Sequence, residues 1–302
     1  MLAGCGLVTG LSALEKVDCL DCAAPGDDTD SEGPGDPRPP ADAAPQDEAS
    51  PPTSTPDSGA PAEDSAPPDA GMPCPGTEGP VAVRITAGGA SYCVDRTEVT
   101  NAQYARFVAA RNNALGLMDQ DPHCAWNGSY VPTSWPYPAG REGYPVANVD
   151  WCDAYAFCKW AGKRLCGRIG GGRVARSDGI DATRSQWYAA CSASGARVYP
   201  YGNTYVAASC NGEDVSGNAL RPAGSSPACA GGASPELLDL SGNVWEWEDS
   251  CSAYTMAGGA IERCETRGGG YQSPATNLRC VSRGDRNRDD GNGDTGFRCC
   301  GP

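Results

Sequence analysis

Histidine is almost missing from this chain: one residue, His123, in 302. A two-histidine, one-carboxylate iron centre is therefore excluded, and a Cys/His zinc site is poorly supported. A basic excess is missing too. Lys+Arg number 23 against 38 Asp+Glu, a formal charge of −15. Nucleic-acid binding driven by phosphate neutralisation does not fit that balance. No apolar run reaches the ~18–20 residues of a membrane-spanning helix. There is no Gly-X-Ser-X-Gly nucleophile elbow, so a Ser-His-Asp triad would rest on His123 alone.

The acidity is local. Residues 1–75 hold 15 Asp+Glu, 2 Lys+Arg and 14 of the 26 prolines, whereas residues 76–302 carry 23 Asp+Glu against 21 Lys+Arg. From Ala23 to Pro75 the only large apolar residue is Met72. Such a stretch cannot bury enough surface to offset its chain entropy, and it is predicted to be a disordered Pro/Asp/Ala-rich linker. Proline and like charge keep it extended, a spacer of ~100–150 Å at ~3 Å per residue. The sequence thus divides into an N-terminal segment 1–22, a linker 23–75 and one globular domain 76–302.

What the chain has in excess is cysteine, 17 residues. Only Cys19 and Cys22 form a CxxC pair, and the rest are dispersed. In a Gly-rich domain this reads as a disulfide framework in an oxidising compartment, the alternative being reduced, buried thiols. The odd count has a candidate explanation. Leu2-Ala3-Gly4-Cys5 resembles a bacterial lipobox, in which the cysteine is lipidated, and a lipidated Cys5 leaves an even sixteen. The basic and apolar regions that precede a lipobox are missing, which predicts a start further upstream. The expectation is a membrane-tethered protein of the bacterial cell envelope, on its periplasmic or cell-surface side.

Local patterns predict a strand at Val81–Thr86, a turn at Gly88-Gly89 and a strand at Tyr92–Val94. Thr100 is a predicted N-cap for a helix over Asn101–Ala110. Further helices are predicted over Val149–Trp160, ended by Gly162, and over Ser185–Cys191. After Gly195 periodicity fades, and long irregular loops are expected. Cys251/Cys264 and Cys210/Cys229 are candidate local pairs, and the neighbours Cys299 and Cys300 are expected to bond to different partners.

Seven segments occur in order: Tyr92–Tyr104 (YCVDRTEVTNAQY), Tyr144–Trp151 (YPVANVDW), Trp160–Leu165 (WAGKRL), Tyr199–Asn203 (YPYGN), Leu240–Trp247 (LSGNVWEW), Arg267–Gly270 (RGGG) and Gly296–Cys299 (GFRC). Together they resemble the formylglycine-generating enzyme, or sulfatase-modifying factor, family over about residues 80–301. The resemblance implies an α+β fold, a C-type-lectin-like variant with little regular secondary structure, stabilised by calcium and disulfides. It also implies an activity, the O₂-dependent oxidation of a sulfatase cysteine to formylglycine by copper held on two cysteines after the RGG segment.

Those cysteines are not there. Ser273 stands at the position of the first, and no cysteine lies between 265 and 279. A serine hydroxyl is no substitute for the thiolate that Cu(I) requires. Copper is therefore not expected, and no catalytic residue is assigned. The resemblance further implies the bridges Cys158–Cys299 and Cys191–Cys280. It implies a calcium site from the Asp239 and Glu246 carboxylates with the carbonyls of Gly242 and Val244, and a second site from Asn211 and the Gly212 carbonyl, with Asp214 nearby. The competing reading of the first site is that Asp239 caps a turn and Glu246 pairs with an arginine.

Two further groups invite a binding role. Arg279, Arg283, Arg286 and Arg288 with Asp285, Asp289 and Asp290 make a mixed-charge loop, read as an ion-paired face or a ligand subsite. Trp126, Trp135 and Tyr137 make a candidate stacking surface, the alternative being core packing. The functional expectation is a lipid-anchored, catalytically silent binding or scaffold module for a peptide, glycan or envelope protein. The alternatives are an active formylglycine-generating oxidase and a purely structural surface module.

Overall fold

The computed structural model describes residues 73–111, 119–215, 217–256 and 259–302. The lipobox-like Cys5 and the linker up to residue 72 lie outside the described residues. Residues 73–75 belong to the domain and not to the linker, because Cys74 is bridged to Cys93.

The domain opens with β1 (Ala82–Ala87) and β2 (Ala90–Asp95), an antiparallel pair in which Ala87 faces Ala90. Gly88 and Gly89 both have positive φ, 62° and 79°, as a two-residue hairpin turn requires. Helix α1 (Asn101–Arg111) follows. Thr100 Oγ1 accepts from Gln103 N, and Gln103 Oε1 accepts from Thr100 N at 2.9 Å, a reciprocal cap. Helix α2 (Trp151–Trp160) starts two residues later than the apolar spacing predicts, because Asp150 accepts from Asp153 N at 2.8 Å and caps it there. Helix α3 (Gln186–Ser192) is capped by Ser185 and ends at left-handed Ala193.

The strand β10 (Cys299–Gly301) lies between β2 and β3 (Arg164–Leu165), giving a four-stranded sheet in the order β1-β2-β10-β3. Neighbouring residues of a strand point to opposite faces. Accordingly Cys299 bonds to Cys158 on α2 and Cys300 to Cys166.

The loop expectation beyond Gly195 fails over its second half. Short β4 (Ala230–Gly231) pairs with β5 (Ser234–Leu238). Long β6 (Trp245–Met256) and β7 (Gly259–Arg267) form an antiparallel ribbon, flanked by β8 (Arg283–Asn287) and by β9 (Thr295–Gly296), which runs parallel to β6. Apolar alternation cannot reveal these strands. Glu246, Glu248 and Glu265 are buried on them as charges, and β8 reads Arg-Gly-Asp-Arg-Asn.

Between α1, α2 and the ribbon lies an aromatic core of Tyr104, Phe107, Phe157 and Phe297, rings 5.3–6.3 Å apart. The indole N–H groups of Trp151, Trp187 and Trp247 each reach a buried acceptor: Glu248 O, Glu246 Oε2 and Val149 O. All fourteen cysteines from Cys74 onward are paired in seven bridges. Both bridges implied by the resemblance are present, as are Cys210–Cys229 and Cys251–Cys264.

Candidate functional site

The RGGG segment begins where β7 ends. Arg267 is fully buried, donates to Glu248 Oε2 at 2.7 Å and contacts the Gly179 carbonyl. Gly268 and Gly269 have φ of 84° and 78°, and a Cβ on either would lie within 3.0 Å of a carbonyl oxygen, Leu240 O or Asn277 O. Only glycine fits that turn. It delivers Ser273 to a buried position, 6 % exposed, where Oγ accepts from Gly270 N at 2.9 Å and the carbonyl accepts from Glu213 N. The hydroxyl is thus engaged in its own turn. Cys280, the next sulfur along the chain, is bridged to Cys191. Among the described residues no thiol is free, so the turn at Ser273 offers no thiolate for a soft metal.

Leu240–Trp247 builds a second, charged centre. Asp239 and Asn243 hold positive φ at a tight turn, 54° and 63°. Gly242 presses on the Asn211 backbone, 2.5 Å from a built Cβ to Asn211 O. Both Glu246 oxygens accept hydrogen bonds: Arg298 Nη2 donates to Oε1 and Arg298 Nε to Oε2, each at 2.7 Å, and Trp187 Nε1 adds a second bond to Oε2 at 2.7 Å. Glu246 is therefore the partner of a fully buried arginine, with its Oε1 accepting a single bond. Asp239 Oδ2 accepts from Gly224 N at 2.5 Å.

Two groups remain open. Glu98 Oε2 and Asn211 Oδ1 are buried without a hydrogen-bond partner. They sit at either end of the Asn243 amide, whose Nδ2 donates to Glu98 Oε1 and whose Oδ1 accepts from Asn211 Nδ2. Burial, together with the nearby Asp239 carboxylate, raises the Glu98 carboxyl well above its ordinary value against the pull of Arg298. Asp239 is itself pushed up to about 6 by burial, opposed by the Gly224 N–H. Of the two residues assigned to the second calcium site, Asn211 has an unused oxygen, while Gly212 packs against Leu278 and the Ser273 carbonyl. Asp214 is taken by the Tyr205 hydroxyl at 2.6 Å. Glu98, Asn243 and Arg298 were legible only as parts of family segments. Nothing in their spacing marked them as one cluster.

The aromatic trio separates. Trp135 and Tyr137 line a cavity of about 320 Å³, with Trp135 also edge-on to core Tyr104. Trp126 lines another of about 330 Å³ with His123 and Arg288. The mixed-charge loop is ion-paired: Arg283 with Glu265, Arg286 with Asp294, Arg288 with Glu262 and Asp285 with both Arg176 and Arg263.

Mixed α+β layers, short strands and stapling bridges define the class, a disulfide-rich α+β domain. Residues 72–301 match the model of the sulfatase-modifying factor enzyme 1-like domain, and the chain belongs to that family. It is 27 % identical over 256 residues to the formylglycine-generating enzyme of Streptomyces coelicolor, covering 68 % of this chain and 76 % of that one. It is 31 % identical over 250 residues to the inactive C-alpha-formylglycine-generating enzyme 2 of Mus musculus, covering 69 % and 74 %. The solved structure of CarF superposes with a TM-score of 0.47 at 19 % identity, covering 76 % of this chain and 96 % of that one.

Proposed function

We propose that this chain is a cell-envelope lipoprotein whose family domain has lost the oxidase chemistry and serves as a binding or scaffold module for an envelope partner. The observation that carries the reading is the Ser273 turn: a hydroxyl tied to Gly270 N, with every cysteine from Cys74 onward already in a disulfide. Formylglycine formation needs a copper-binding thiol pair, and this turn supplies none. The similarity to a relative whose own name records it as inactive supports the same reading.

The tether on this reading is a lipidated Cys5 followed by the acidic, Pro-rich linker. Intact-mass analysis of protein extracted from bacterial membranes tests it. A mass increment of an acylated N-terminal cysteine supports the anchor, and an unmodified N-terminus overturns it. The structural ion on this reading is calcium, held by the Asp239 and Glu246 carboxylates with the carbonyls of Gly242 and Val244, and with the open Glu98 and Asn211 oxygens beside it. The open, buried Glu98 Oε2 and Asn211 Oδ1 suit a hard cation that takes oxygen ligands.

A further inference from the structure

The cavity beside the lone histidine has an uncommon floor. Arg288 is 3 % exposed, yet it lines the space. Its guanidinium lies 4.3 Å over the Trp151 ring. Glu262 Oε2 approaches Nε at 2.9 Å and Asp121 Oδ1 lies 3.8 Å from Nη1. None of its three side-chain nitrogens makes an aligned hydrogen bond. Buried donors without acceptors are rare in folded proteins and call for an explanation. Trp126 stands at the rim of the same cavity, half exposed, and His123, Asn287, Glu262 and Asp289 complete the wall.

The charges define what such a site takes. Arg288 and Arg173 are outnumbered by the carboxylates of Asp121, Glu262 and Asp289. An anion would satisfy Arg288 but meet that surplus. A cation would meet the carboxylates but be repelled by the guanidinium, which is itself paired with Glu262. A hydroxyl both donates and accepts, so a neutral polyol satisfies both at once. The open face of Trp126 suits the C–H face of a pyranose ring. The volume of about 330 Å³ lies at the small end of ligand sites, on the scale of a mono- or disaccharide.

We propose that this cavity is a saccharide site in which Trp126 stacks on a neutral sugar ring, Arg288 donates to its hydroxyl oxygens and Glu262, Asp289 and Asn287 accept hydrogen bonds from its hydroxyls. The assignment rests on the reading of the domain as a binding module and names its ligand class.

Equilibrium titration of the full chain with glucose, galactose, mannose, N-acetylglucosamine and their disaccharides tests it, followed by isothermal calorimetry into the millimolar range. At least one of these sugars is expected to bind. Trp126→Ala is expected to weaken binding at least tenfold, and Trp126→Phe, which keeps a ring, to retain it within a few-fold. Asn287→Ala is expected to weaken binding as well, and all three variants should keep the thermal midpoint of the parent. Silence across the panel, or equal binding by Trp126→Ala, overturns the proposal. Assay of the same preparation for formylglycine on a cysteine peptide separates the two failures: no sugar and no aldehyde removes only the saccharide site, whereas aldehyde formation removes the non-oxidase reading.

Discussion

Arg298 grips both oxygens of Glu246 at 2.7 Å while its remaining donors reach the carbonyls of Asp95, Leu238 and Asp239. Both side chains are fully buried. The pair joins the chain's last strands to β6 and to the turn at Asp239, so it fixes the acidic centre more than it adds net stability. Removing one member of a buried pair leaves an uncompensated charge, a loss of about 3–5 kcal/mol. Arg298→Met is expected to fall in that range in urea unfolding monitored by tryptophan fluorescence. A loss below about 1 kcal/mol would show that the pair behaves as an exposed one.

The disulfides predict a graded response. Cys158–Cys299 spans 141 residues and Cys251–Cys264 spans 13. In the chain-entropy treatment the first is worth about 5 kcal/mol and the second about 3 kcal/mol. Paired Cys→Ala variants compared by denaturant midpoint should keep that order. The reverse order would point to bridges whose effect lies in the folded state.

Calcium should act through Glu98. The thermal midpoint of the chelated full chain is expected to rise on adding calcium, as for any ligand that binds only the folded state. In Glu98→Gln that rise should vanish. A calcium effect untouched by Glu98→Gln would place the ion elsewhere, and no effect in the parent would remove it.

Acid should weaken the loop that carries His123. Burial raises the Asp121 carboxyl, but the His123 backbone and side-chain bonds, with Arg173 and Arg288, outweigh it and hold the group below its ordinary value. An unfolded aspartate titrates near pH ~4. The stabilisation is therefore complete above that pH and is lost as pH falls through the lower folded value. The thermal midpoint is expected to drop more steeply for the parent than for Asp121→Asn below pH ~4. Parallel curves would contradict this.

The sequence made the capped helices, the Gly88-Gly89 hairpin and four of the seven bridges legible, because each rests on local chemistry or on a family segment. The ribbon of β6 and β7 was hidden, since Glu246, Glu248 and Glu265 carry charge into the interior and invert the usual alternation. The partner of Glu246 was hidden too, since Arg298 lies 52 residues beyond it. Ser273 was legible for the opposite reason: a missing sulfur is visible in one dimension.

The non-oxidase reading turns on Ser273. The informative protein is the full chain with Cys19→Ser and Cys22→Ser, which removes the CxxC thiols outside the described residues, prepared without reductant and supplied with Cu(I) and O₂. It should form no formylglycine on a peptide containing Cys-X-Pro-X-Arg, as read by mass spectrometry, and Ser273→Cys should not restore the reaction, since one thiolate is not a pair. Stoichiometric Cu(I) binding with aldehyde formed on the peptide would contradict the non-oxidase reading outright.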